Sequence, residues 1–149
     1  IPAVAFIPLV ILYLGIGELS KISVIWLAAF LYMALYAATG VRNVPKEYVL
    51  LGQNLELSKW AFFRRVIFPA SLPFIIAGLK TATALSWAIV VAAELIAAQA
   101  GLGYMIMDAA TFFNLPSVCV GILFIGGIGL LLEAITNALE RRVLHWAGR

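Results

Sequence analysis

Residues 22–40 read ISVIWLAAFLYMALYAATG, and this stretch decides the fold class. It lies between Lys21 and Arg42 and contains no charged side chain. A helix needs about 20 predominantly apolar residues to cross the hydrocarbon core of a bilayer. The stretch therefore predicts a membrane-spanning helix.

Three further apolar segments flank this one, at about 1–14, 74–98 and 117–138. Hydrophobic residues make up 64% of the 149-residue chain and charged residues 11%, against about 45–50% and about 25% in soluble domains. A soluble fold of this size could not hide so much apolar surface. The sequence predicts an all-α, polytopic transmembrane helical bundle forming one domain.

The first segment is short for a span and contains Pro2 and Pro8. The chain also begins at Ile1, inside an apolar run. We expect this segment to be a partial span, and the chain to be the C-terminal part of a protein with further N-terminal spans.

Basic residues are unevenly distributed between the connecting segments. The 99–116 connection has one charged residue, Asp108, whereas the 41–73 loop and the C-terminus carry most of the positive charge: Arg42, Lys46, Lys59, Arg64, Arg65, Arg141, Arg142 and Arg149. Positive loops favour the cytoplasmic side. We expect the 41–73 loop and the C-terminus to be cytoplasmic, and interaction with lipid to account for this charge without nucleic acid.

Residues that would indicate an enzyme or a cofactor site are sparse. Cys119 is the single cysteine and His145 the single histidine. We find no paired catalytic carboxylates, metal-ligand spacing or nucleotide-binding phosphate loop. The sequence predicts neither an enzyme nor a cofactor, and any ATP hydrolysis would need a separate subunit.

The 41–73 loop has a clear local pattern. Residues 44–55 predict a short helix with Pro45 in its first turn, and Ser58 predicts the N-cap of a second helix over 59–68. Pro69 should end or kink that helix. Its apolar stripe, Trp60, Phe63 and Ile67, is typical of an interfacial helix that anchors a loop to lipid.

The same loop resembles a known family. It contains Val-Pro-Lys-Glu-Tyr at 44–48, Ser-Lys-Trp at 58–60, Phe-Arg-Arg-Val-Ile-Phe-Pro-Ala-Ser-Leu-Pro at 63–73 and Ala-Gly-Leu at 77–79. This order resembles the cytoplasmic signature loop of binding-protein-dependent ABC transporter permeases. The pieces at 7–9, 14–18, 92–98, 101–106, 131–133 and 139–142, with Trp146, are similar to the nitrate, sulfonate and taurine branch of that family.

The resemblance implies a permease subunit in a prokaryotic cytoplasmic (inner) membrane. Its expected partners are an ABC ATPase subunit, an extracytoplasmic solute-binding protein, a second permease copy and membrane lipid. The loop would hold a coupling helix that docks on the ATPase, and the solute would be a small oxyanion or sulfonate. Two alternatives stay open: a permease of the same fold for another solute, such as a vitamin precursor, and a membrane scaffold that transports nothing.

The chain departs from the family's loop motif at one position. Glu56 replaces the motif glycine, which would permit a left-handed turn between the two short helices. We expect either that the helices run together or that the turn shifts to Gly52 or Asn54. The residues expected to couple to the ATPase are Gly52, Asn54, Leu55, Glu56 and Ser58.

Polar residues inside the apolar segments are candidates for a translocation path, because ionisable groups at membrane depth are costly. These candidates are Ser86, Glu94 and Gln99. Glu94 has an alternative interpretation, a carboxylate that hydrogen-bonds neighbouring helices near the outer surface. We expect Lys80 to reach toward the cytoplasmic surface, and Glu133 to pair with a basic residue of the loop.

Overall fold

The computed structural model describes residues 3–145, so Ile1, Pro2, Trp146 and Arg149 lie outside the described residues. The described part is helical and contains no strand, which confirms the predicted all-α class. After a short 3₁₀ turn at Ala3–Phe6 come seven helices: α1 (Ile7–Leu14), α2 (Glu18–Arg42), α3 (Lys46–Asn54), α4 (Lys59–Phe62), α5 (Phe68–Ala97), α6 (Leu102–Thr111) and α7 (Leu115–Val143).

Three stretches are long and apolar enough to cross a membrane: Glu18–Arg42, Lys59–Ile96 and Leu115–Val143, of 25, 38 and 29 residues. The apolar helix near the N-terminus, Val4–Leu14, is shorter. Large apolar side chains cover the outside of the bundle, and Leu123 and Leu130 of α7 are 73% and 70% exposed. An exterior of this kind suits hydrocarbon or further apolar helices.

Helix α5 is the centre of the bundle. One end of its contact with α2 is a buried cluster of Ile7, Val24, Ala28, Ile89 and Ala93. Toward its other end, a Cβ on Gly78 would lie 2.6 Å from the Tyr36 Cβ, so the small residue lets the two helices approach closely. Gly40, near the end of α2, lies against Ser71 and Phe74, near the start of α5. The two helices therefore run antiparallel.

Helix α7 packs antiparallel to α5 on another side. The Trp87 indole N–H donates a 3.3 Å hydrogen bond to the Ile125 carbonyl, and Lys80 Nζ lies 2.7 Å from Glu140 Oε2. The 41–73 loop and the end of α7 therefore lie at the same end of the bundle. This end, which we call the basic end, carries Arg42, Lys46, Lys59, Arg64, Arg65, Arg141 and Arg142.

Pro69 does not end the second short helix. The chain stays helical from Lys59 through Pro69 and Pro73 to Ala97. The five residues Phe63–Ile67 form a π-helical turn, in which the Phe68 N–H bonds to the Phe63 carbonyl. Proline has no N–H for the carbonyl four residues earlier and clashes with it in a regular helix. The wider turn just before Pro69 accommodates this residue and keeps the helix continuous.

Candidate functional site

At the basic end the chain reverses direction between α3 and α4, and we call these two helices and their connection the α3–α4 hairpin. Two backbone hydrogen bonds stabilise the reversal. The Leu57 N–H bonds to the Gly52 carbonyl at 3.4 Å and the Glu56 N–H to the Gln53 carbonyl at 3.0 Å. This pair of bonds is a Schellman ending for α3. Such an ending needs a left-handed residue just after the helix, and Glu56 fills that position with φ of 49°.

Both expected consequences of Glu56 are therefore wrong. The two short helices do not run together, and the turn does not shift to Gly52 or Asn54, because α3 ends at Asn54 and Glu56 itself becomes left-handed. A non-glycine residue in this region costs about 1–2 kcal/mol. The two reversal bonds and the packing of the hairpin outweigh that cost.

Gly52 has a packing role in the hairpin. It is buried, and a Cβ there would lie 2.5 Å from the Phe62 ring and 3.4 Å from Val66 Cγ2. The absence of a side chain lets α3 lie directly against the Phe62 ring. Gly52 therefore stabilises the hairpin from within and offers little surface to a partner.

The other residues expected to couple are accessible. Asn54, Leu55, Glu56 and Ser58 are exposed, and Leu55 is an apolar side chain with 61% of its surface free. The Ser58 hydroxyl accepts a 3.3 Å hydrogen bond from the Ala61 N–H, so the predicted N-cap is confirmed. The reversal thus presents a compact, exposed surface between two short helices.

Glu94 lies at the opposite end of the bundle, against the start of α6. Its carboxylate accepts a 2.8 Å hydrogen bond from the Gly103 N–H. A negative charge at the start of a helix is favoured, because the first N–H groups there lack partners. A Cβ on Gly103 would lie 2.7 Å from the Glu94 Cβ and 2.9 Å from the Val91 carbonyl. The glycine therefore allows the close approach that this bond requires.

The role of Gly101-Leu102-Gly103 was missed from the sequence. Gly101 has φ of 124°, and its position for a Cβ is occupied by the Glu94 carboxylate. Because neither glycine has a side chain, the Glu94 carboxylate packs against both of them, and this contact joins α6 to α5. A Gly-x-Gly at the start of a helix, with an acid seven residues before its first glycine, was the available signal.

The three candidates for a translocation path have separate surroundings. Ser86 lines a cavity with residues of α2 and α7, including Met33 and Leu132. Gln99 lines a different one with Glu18 and Lys21, whose side chains form a 2.8 Å ion pair. Glu94 is bonded to α6. The structure therefore does not bring Ser86, Glu94 and Gln99 into one site.

A groove with a mostly apolar lining and a few polar side chains follows α5 instead. Two cavities of about 350 Å³ each share Thr83, Trp87 and Leu132. The one nearer the basic end, which we call the α5–α7 cavity, is lined by Lys80, Thr81, Thr83, Ala84, Trp87, Gly129, Leu132, Glu133 and Thr136. Residues at three- and four-residue spacing share one helix face, so Lys80, Thr83 and Trp87 form a stripe along this groove.

The ion pairing at this cavity differs from expectation for Glu133. Lys80 pairs with Glu140 at 2.7 Å across α5 and α7, with side-chain exposures of 33% and 37%, so its ammonium is directed at a neighbouring helix. Glu133 forms no ion pair within residues 3–145 and lines the cavity. Across the same residues, no cluster of three or more His, Cys, Asp or Glu side chains could hold a metal ion.

Residues 1–145 match the sequence profile of the family described as "Binding-protein-dependent transport system inner membrane component". A probable ABC transporter permease protein of Brucella abortus (strain 2308) is 42% identical over 149 residues, which are 100% of this chain and 60% of the relative. The taurine transport system permease protein of Escherichia coli (strain K12) is 40% identical over 148 residues, 99% of this chain and 54% of the relative.

A nitrate import permease protein of Leptolyngbya laminosa is 33% identical over 144 residues, 97% of this chain and 52% of that protein. The chain thus spans between half and three-fifths of the length of these relatives. The similarity extends over both the α3–α4 hairpin and the α5–α7 cavity.

Proposed function

Since the chain belongs to the binding-protein-dependent transport system inner membrane component family, we propose that it is a permease subunit of an ATP-driven importer. It carries a small solute of the nitrate, sulfonate or taurine type across a prokaryotic cytoplasmic membrane. Relatives whose names specify taurine, aliphatic sulfonate and nitrate transport support this choice of solutes.

The observation that carries the coupling part of this proposal is the exposed α3–α4 hairpin. It projects Leu55 and Glu56 from a reversal fixed by two backbone hydrogen bonds. We assign this surface to docking on a separate ABC ATPase subunit, where the hydrolysis takes place. The hairpin continues through the π-helical turn into α5, which gives a helical connection from the docking surface to the cavity-lining span.

The distribution of charge supports one orientation in the membrane. The basic end carries seven cationic side chains among the described residues, against three acids, Glu47, Glu56 and Glu140. We place this end in the cytoplasm. The opposite end, with Glu94 and Asp108, then faces the extracytoplasmic solute-binding protein.

Lipid contact at the basic end is supported by the start of the long helix. The Trp60 and Phe63 rings stack at 5.9 Å, and the two side chains are 70% and 45% exposed. Exposed Lys59, Arg64 and Arg65 neighbour them. Aromatic rings beside cationic groups are typical of the membrane interface. The exposed apolar faces of α2 and α7 are available to lipid, to further spans and to a second permease copy.

Uptake by a reconstituted transporter tests the proposal. The full-length protein would be placed in proteoliposomes with its ATPase subunit and its solute-binding protein, and labelled taurine, ethanesulfonate and nitrate would be offered separately. We expect uptake of at least one of them that requires ATP, the ATPase subunit and the binding protein. Uptake of an unrelated solute would support the alternative permease, and absence of any ATP-dependent uptake would support the scaffold.

A further inference from the structure

The α5–α7 cavity combines opposite charges with neutral hydrogen-bonding groups. Helix α5 contributes Lys80, Thr83 and Trp87, and α7 contributes Glu133 and Thr136. Its volume of about 350 Å³ suits a small molecule, since ligand sites in proteins fall in the range of about 300–1,000 Å³. A solute with two charged groups could contact both helices at once.

Charge balance distinguishes the solutes that this cavity can hold. Lys80 is positive, whereas Glu133 and its ion-pair partner Glu140 are negative. The three side chains thus have one negative charge in excess. A simple anion would add a second negative charge and would find one cationic partner, Lys80, beside two repelling carboxylates. A zwitterion leaves the balance unchanged and offers each charged side chain an opposite partner.

Resting on the proposed transport function, we propose that the α5–α7 cavity is a solute-contact site for short zwitterions that carry an acidic group and an ammonium group. Lys80 exchanges Glu140 for the acidic group of the solute, and Glu133 receives the ammonium. Glu140 is 37% exposed, so water hydrates its carboxylate while Lys80 is engaged.

Two neighbouring groups complete the site. The Trp87 indole N–H is directed at the Ile125 carbonyl, which fixes the ring beside the cavity, and an aromatic face attracts an ammonium group. The hydroxyls of Thr83 and Thr136 bond to backbone carbonyls of their own helices and can still accept hydrogen bonds. The solute must displace Glu140 from Lys80, so its binding is weak. Weak binding allows the solute to leave the site and continue along the translocation path.

The test compares two solutes that differ by one amino group, 2-aminoethanesulfonate and ethanesulfonate. Maximal uptake rates are measured at saturating solute in proteoliposomes that contain the complete transporter. Glu133→Gln should lower the rate for the amino compound relative to ethanesulfonate by about tenfold, as expected for loss of one charge-assisted hydrogen bond. Lys80→Gln should lower both rates, and Lys80→Arg should restore most of the loss. Cys119→Ser, at an exposed position in the second turn of α7, is the control and should leave the ratio unchanged.

An equal effect of Glu133→Gln on the two rates, or unaltered rates for Lys80→Gln, would overturn the site. Unfolding temperatures of the purified variants identify a loss of rate caused by misfolding, and Glu133→Asp, which keeps the charge, should then retain the preference for the amino compound. If the unaltered transporter carries neither sulfonate but takes up nitrate, the zwitterion site fails while the proposed transport function stands.

Discussion

The Glu94 carboxylate accepts a 2.8 Å hydrogen bond from the Gly103 N–H, across the connection between α5 and α6. The bond joins the end of a long apolar helix to the start of a shorter one. Gly101 and Gly103 leave room for the carboxylate. This contact helps to hold the start of α6 against α5.

Gly103→Ala should destabilise the protein by about 1–3 kcal/mol, the usual cost of an inserted methyl group in a packed site. The new Cβ would lie 2.9 Å from the Val91 carbonyl, and backbone cannot rotate away. Thermal unfolding of the purified protein in detergent measures the effect. Gly126→Ala is a matched control, since nothing lies within 4 Å of a Cβ there, and it should not lower the unfolding temperature.

Glu94→Ala should cost about 0.5–2 kcal/mol, the usual value of a helix N-terminal side-chain bond. Glu94→Gln should cost less, because the amide oxygen can still accept from the Gly103 N–H. The same unfolding measurement ranks the two variants. An equal loss for both would mean that the charge of Glu94, and not its hydrogen bond, holds α6 in place.

Glu56→Gly should stabilise the protein by about 1 kcal/mol, because glycine adopts the left-handed conformation of this position without strain. Glu47→Gly serves as the opposite control. Glu47 lies in the first turn of α3, where glycine should cost about 1 kcal/mol. If both variants lowered the unfolding temperature, the side chain of Glu56 would make a stabilising contact that outweighs its backbone strain.

Gly52→Ala should displace α3 from α4, because the added methyl group would lie 2.5 Å from the Phe62 ring. The expected result is a lower unfolding temperature and slower uptake by the reconstituted transporter. Phe62→Leu in the same chain replaces the planar ring with a smaller side chain and should recover part of both losses. If the double variant recovered neither the unfolding temperature nor the uptake rate, the contact between Gly52 and Phe62 would not be the cause of the losses.

The long apolar helices follow from the sequence, because bilayer thickness sets the length of an apolar helix. The uncharged stretch 22–40 lies within α2, and the predicted 117–138 segment lies within α7. The Ser58 cap was also predictable, since a capping bond depends on residues three apart. Continuity through Pro69 was not, because the π-helical turn that accommodates this residue has no sequence signature that we recognised.

Contacts between distant residues could not be predicted. Lys80 and Glu140 are 60 positions apart, and only the antiparallel packing of α5 and α7 brings them together. The left-handed backbone of Glu56 could not be predicted either. The conformational preference of glutamate disfavours it, whereas the packing of the hairpin around Gly52 favours it. The α5–α7 cavity depends on two helices, so its lining could not be read from a polar stripe on one of them.

ATP hydrolysis by the complete transporter carrying Leu55→Asp tests the central claim most directly, that the α3–α4 hairpin couples a separate ATPase to transport. Leu55 is 61% exposed, so the change should leave the unfolding temperature nearly unaltered while replacing the exposed apolar side chain of the docking surface with a charged one. We predict that solute-stimulated hydrolysis and uptake both fall at least tenfold, and that Cys119→Ser changes neither. Unaltered hydrolysis and uptake in the folded Leu55→Asp transporter would contradict the account.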